Sequence, residues 1–164
     1  MRKLFLLAFA ILSLLFSCGK MEDPDLGAFK RWEPYLDMSL QNKFDESLFC
    51  KQWVYDKVYT EVYIDGVKWF QTDHTNDVVP WPNLAFGTDH SMSYGGIGGE
   101  WLYSHNYLMW QMPAIDIFSF FGEVLNVTDD SLTLRGESVS SGQEPFFKDK
   151  SGTHYFSLLE LKAK

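Results

Sequence analysis

The sequence predicts an all-β domain, an antiparallel up-and-down β-barrel of about eight or nine strands with a short helix before it. From residue 49 onward, β-branched and aromatic residues come in short runs broken by Gly, Asn, Asp and Pro, which is the pattern of strands joined by turns. No helical pattern alternates with those runs, so an antiparallel sheet is expected rather than a parallel α/β one. Aromatic residues make up 17% of the chain, a surplus for so small a protein.

The 164 residues leave room for one domain, and 46% hydrophobic against 22% charged residues excludes a chain that is disordered throughout. The net charge is −8. A nucleic-acid partner is disfavoured, because phosphate binding needs clustered Lys and Arg.

Residues 1–17 read as an export signal. Met1-Arg2-Lys3 is a basic start, and residues 4–15 are apolar except for Ser13. That run is too short to cross a bilayer as a helix. It ends in Leu15-Phe16-Ser17-Cys18, which resembles the lipobox of bacterial lipoproteins, although Phe16 is bulkier than usual for its position. The resemblance implies that Cys18 is acylated, with palmitate-type chains, and becomes the mature N-terminus. The other reading is a plain secretory signal with a free Cys near its cut. Two or more buried acyl chains, at about 0.8 kcal/mol per CH₂, hold a protein stably on a membrane. Residues 18–34 then read as a polar tether. Acidic residues just behind the Cys resemble the signals that carry some lipoproteins of Gram-negative bacteria across the outer membrane. The implied location is the outer membrane, lipid-anchored, on its periplasmic or cell-surface face.

Residues 35–48 carry Leu36, Leu40, Phe44 and Leu48 at intervals of four, with polar residues between and Pro34 before them. This stripe predicts an amphipathic helix that plugs the domain. The barrel proper is expected over 49–164. Its first strand, 50–64, ends at Asp65-Gly66, a pair suited to a tight hairpin turn, and 67–70 continues beyond it. Residues 72–82 read as a loop, 83–86 and 91–94 as short strands, and the glycine cluster at 95–99 as a bend or bulge. Strands are expected at 100–103 and 107–112, around Ser104-His105-Asn106. In the second, Leu108, Trp110 and Met112 form one wholly apolar face. Strands at 118–128 and 132–136 flank Asp129-Asp130-Ser131, and 154–161 closes the domain after a polar loop.

The order of several motifs is similar to that of the lipocalin-like domains of bacterial lipoproteins. Phe49-Cys50-Lys51-Gln52-Trp53 resembles their first strand, with Cys50 where Gly is usual. Leu84-Ala85-Phe86-Gly87-Thr88-Asp89 resembles a strand entering a turn, with His90 replacing the usual Gly, and Gly99-Glu100-Trp101-Leu102-Tyr103 resembles the Gly-x-Trp-x-Tyr strand. Residues 124–134 resemble the late hairpin and 155–161 the closing strand. The resemblance spans roughly 49–161 and implies a barrel that holds a small apolar or amphipathic molecule.

An eight-stranded barrel either fills its lumen or leaves room for one small ligand. Trp53, Tyr55, Tyr59, Trp101, Tyr103, Trp110 and Phe120 are the candidates to line such a cavity, and the same residues suit an ordinary core. No catalytic residues, cofactor or metal are expected. His74, His90, His105 and His154 are scattered, and the acids lack calcium-loop spacing. Cys50 has no second Cys beyond Cys18 and no His near it in sequence, so it reads as a small buried hydrophobe. Three functions compete: a ligand-binding barrel, a non-catalytic module docking on a protein or glycan, and a hydrolase with an unrecognised site.

Overall fold

The computed structural model describes residues 26–77, 81–112, 119–139 and 151–164. The expected leader, Cys18 and the first part of the expected tether lie outside them.

The described residues form a closed eight-stranded antiparallel barrel with one additional strand. In chain order the strands are β1 (Gln52–Ile64), β2 (Val67–Asp73), β3 (Leu84–Phe86), β4 (Ser91–Tyr94), β5 (Ile97–Ser104), β6 (Tyr107–Gln111), β7 (Ser119–Val127), β8 (Ser131–Val139) and β9 (Thr153–Ala163). Each strand from β3 to β9 pairs with the next, and β1 closes the barrel by pairing with β9 along nearly its whole length. On its other edge, β1 pairs with β3 through Gln52 and Trp53 and with β2 through Tyr59 to Ile64. Strand β2 is therefore outside the closed ring.

A bulge between Tyr55 and Lys57 inserts Asp56 into β1. It resets the alternation so that both Tyr55 and Val58 join the interior. The displaced polar residues face neighbours on β9: Lys162 pairs with Asp56 at 2.8 Å and Lys57 with Glu160 at 3.4 Å. Directly opposed residues share a face. Trp101, Trp110 and Phe120 thus form one interior row across β5, β6 and β7, while Leu102, Met109 and Phe121 form the matching row outside. Within the interior, the Phe120 ring occupies the space over Gly122 and Gly136, which oppose each other and where any Cβ would strike it.

The Asp65-Gly66 hairpin forms as its chemistry requires, both residues having positive φ, and His105-Asn106 makes a second turn of the same kind. The glycine cluster divides. Gly95 and Gly96 make the β4–β5 turn, whereas Gly98 and Gly99 already belong to β5.

The helix expected over 35–48 is not formed. The described helical segments are a 3-10 helix at Gly27–Tyr35, all but its last residue inside the expected tether, and one 3-10 turn at Glu46–Leu48. The physical reason is competition from short polar side chains. The Asp37 carboxylate accepts from the Ser39 N–H (3.0 Å) and the Asp45 carboxylate from the Ser47 N–H (2.8 Å), which bends the chain at both ends of the segment. Between them, the Lys43 and Phe44 N–H groups donate to the Tyr103 hydroxyl instead of to carbonyls one turn back. Leu36, Leu40, Phe44 and Leu48 still pack against the barrel, but on two different clusters.

The Gly27–Tyr35 segment covers the outer face of β5, β6 and β7. Leu26, Phe29, Trp32 and Tyr35 recur every three residues, which aligns them on one side of a helix with three residues per turn. Phe29, Trp32 and Leu36 are buried on Leu102, Tyr107, Met109 and Phe121, with the Trp32 and Phe121 rings edge to face at 5.6 Å. Strand β6 is consequently buried on both faces. Trp32→Ala should cost about 3–5 kcal/mol in denaturant melts. A loss of only a few tenths would mean that the segment is a tether after all.

Candidate functional site

The barrel has a closed end, formed by the β5–β6 and β7–β8 turns and by the segment leading into β1. Here the interior is dense. Phe49, Trp53, Trp101 and Tyr103 are at most 2% exposed, with Phe49 lying 4.7 Å from Tyr103 and 6.1 Å from Trp101. The indoles of Trp53 and Trp101 and the phenol of Tyr103 each have an internal partner. Trp53 Nε1 donates to the Phe49 carbonyl (3.0 Å) and Trp101 Nε1 to the Gly87 carbonyl (2.9 Å). The Tyr103 hydroxyl receives the Lys43 and Phe44 N–H groups (3.1 and 3.3 Å) and donates to Asn106 Oδ1 (3.0 Å). Asn106, completely buried, donates its side-chain amide to the Val124 carbonyl (3.1 Å) and its backbone N–H to Asn42 Oδ1 (3.0 Å). Trp110, directly opposite Trp101 in the same row, stacks on Phe120 at 4.1 Å.

Among the residues the sequence nominates for a cavity, the structure brings Trp53, Trp101, Tyr103, Trp110 and Phe120 together in this packed core. Tyr55 is half-buried and packs against the same core from the next inward position on β1. Tyr59 is on the outer face, because the bulge at Asp56 reverses the alternation beyond it.

Toward the other end the described residues of the inward row become less buried. On β9 it runs Leu161 (1% exposed), Leu159 (6%), Ser157 and Tyr155 (63%). On β1 the opposed residues are Tyr55, Val58, Thr60 and Val62, followed by Ile64 at 37% exposure; Val62 stays buried between Phe70 and Tyr155 in register. Tyr55, Thr60, Trp81, Tyr94 and Ser157 are all half-buried, with the Tyr55 and Trp81 rings 5.4 Å apart. Burial pushes the Tyr55 phenol far above its ordinary range, with a smaller push from Tyr94, whose own phenol is raised by burial. Both remain protonated, and protonated phenols can donate hydrogen bonds. Trp81 and Tyr94 escape a sequence reading because one sits in the loop before β3 and the other ends a four-residue strand.

Outside the barrel, an open cleft of about 980 Å³ separates the Gly27–Tyr35 segment from β4 and β5. The carboxylates of Glu46, Asp89 and Glu100 line it, and the His90 ring lies 5.3 Å from that of Trp101 and 3.6 Å from the Glu46 carboxylate. Cys50 is half-buried, its thiol 3.7 Å from the Glu46 carbonyl, and burial together with the charges of Glu46 and Asp45 raises its pKa. It is a thiol and not a poised thiolate. Among the described residues, no three His, Cys, Asp or Glu side chains converge as a metal site would require.

No protein-family model matches the chain, nor does any curated protein or solved structure.

The closed end makes a direct prediction about Tyr103. Removing its hydroxyl in Tyr103→Phe leaves the Asn106 side-chain oxygen and two backbone N–H groups without that partner, so the domain should lose about 1–3 kcal/mol in denaturant melts. An unchanged midpoint would show that the hydroxyl does not dock the N-terminal segment.

Proposed function

We propose that the chain is a lipid-anchored, extracytoplasmic protein of the lipocalin-like kind, whose barrel takes up a small apolar or amphipathic molecule through the end opposite the N-terminal plug. It is a binding protein and not an enzyme. The observation that carries this reading is the difference between the two ends. At one end the aromatics are packed, with Trp53, Trp101 and Tyr103 hydrogen-bonded internally, while elsewhere the same inward rows become half-buried and acquire the hydroxyls of Tyr55, Thr60, Tyr94 and Ser157. An apolar interior with a few polar groups near its mouth suits a ligand with an apolar body and an uncharged polar head. The anchor is Cys18, in keeping with the lipobox-like sequence before it and an outer-membrane location.

Two measurements test the reading. N-phenyl-1-naphthylamine, a neutral fluorescent probe, should be taken up by the wild-type protein and quench its Trp emission. Tyr55→Ala should weaken uptake more than it lowers stability, and Trp53→Ala should do the reverse. Uptake should also be flat between about pH 6 and 9, since an ordinary phenol titrates near 10 and both of these are raised. Absence of uptake by the wild-type protein rejects the ligand carrier.

For the anchor, Cys18→Ser should move the protein from the detergent phase to the aqueous phase on phase separation, because one thiol carries the acyl chains. Continued partitioning into detergent would reject lipidation at Cys18.

A further inference from the structure

Strand β2 is exposed at each of its seven residues, Val67 to Asp73. It hangs on β1 alone, and among the described residues nothing pairs with its outer edge. Its side chains are not those of an ordinary solvated edge. Val67 and Trp69 are 70% and 69% exposed and Phe70 45%, with the Trp69 and Phe70 rings 5.2 Å apart. Edge strands are usually guarded by Pro or by a Lys directed outward. β2 has no Pro, and its one Lys is turned back: Lys68 Nζ lies 2.5 Å from the buried Glu61 carboxylate and 2.6 Å from Gln71 Oε1. The pairing steps from Val62–Phe70 to Tyr63–Lys68, so β2 itself carries a bulge with Trp69 as its extra residue, beside Phe70.

The charges that remain are acidic and stand at the two ends of the strand. Asp65 precedes it in the hairpin turn, and Asp73 closes it, its carboxyl held below the usual range by the Thr75 hydroxyl and N–H. This arrangement opposes pairing with a second copy. A two-fold antiparallel match of β2 with itself brings Asp65 of one chain close to Asp73 of the other at both ends, in a chain already at −8. It suits a basic partner instead.

We propose that β2 is a docking edge for an extended peptide segment of another protein, one with apolar side chains in its middle and Lys or Arg at each end. Main-chain hydrogen bonds add the segment as a further strand. Trp69, Phe70 and Val67 hold its apolar side chains, and Asp65 and Asp73, at the two ends of the strand, select its basic ends.

The test uses the full chain and three synthetic nine-residue peptides, followed by fluorescence anisotropy. The first is Lys-Thr-Val-Thr-Val-Thr-Val-Thr-Lys, the second has Glu at both ends, and the third is the Lys peptide N-methylated at alternate residues. The expected result is that the Lys peptide binds and weakens as salt rises, the Glu peptide binds at least tenfold less tightly, and the N-methylated peptide does not bind. Trp69→Ala, at an exposed site where folding should be unaffected, should reduce affinity for the Lys peptide about tenfold or more. Equal binding of the Lys and Glu peptides, binding that survives N-methylation, or no binding of any peptide overturns the proposal. So does a concentration-dependent dimer that Trp69→Ala abolishes, since the edge would then belong to a second copy. Probe uptake by the barrel is a separate readout and does not bear on this edge.

Discussion

The length of β1 is the constraint on which the remainder of the structure depends. One edge of this strand holds β9 and thereby closes the sheet, while the other is divided between β3 near its start and β2 near its end. A barrel abolishes sheet edges only if its first and last strands meet. Because side chains alternate, a slip of one residue between β1 and β9 would turn the inward Leu159 and Leu161 outward. The bulge at Asp56 is part of the same constraint. It keeps Trp53 and Tyr55 inward at the start of the strand and Val58 inward after it, while Asp56 and Lys57 reach their partners on β9.

Closing the sheet leaves two further surfaces to cover, and the chain before β1 covers both. Its earlier part supplies Phe29, Trp32 and Leu36 to the apolar row outside β5, β6 and β7. Its later part crosses the closed end, where Asn42, Tyr103 and Asn106 share a partly buried set of hydrogen bonds. Such a set is costly if incomplete and rigid if complete. Here it is backed by positive φ at Asn106, a conformation that a short polar side chain tolerates.

The two ends therefore do different physical work. The closed end is tightly packed, and Trp53, Trp101, Tyr103 and Asn106 are hydrogen-bonded within it. The opposite end keeps half-buried rings and hydroxyls in the inward rows of β1 and β9, and β1 runs on past the ring to present β2. Interior and edge are thus two chemically distinct surfaces on one continuous strand: an apolar lining with neutral hydroxyls, and an aromatic strip bracketed by carboxylates.

The all-β barrel was legible in the sequence because strand alternation, turn dipeptides such as Asp65-Gly66 and the absence of helical runs are local signals with local causes. The double burial of β6 was half legible: Leu108 and Trp110 announce the inner face, while the cover on Met109 comes from Phe29 and Trp32, some eighty residues earlier. The stripe from Leu36 to Leu48 misled, since its period of four says which residues are apolar and not whether Asp37 and Asp45 will bend the backbone. Of the nominated aromatics Tyr59 lies outside the barrel, because no sequence signal marks the bulge at Asp56, and the difference in burial between Tyr55 and the others was not legible either. Composition and periodicity determine that a residue such as Trp53 or Tyr55 is apolar enough to face inward. Only the closed tertiary structure decides whether that place is fully buried or half-buried, because burial depends on what arrives from distant strands to cover it.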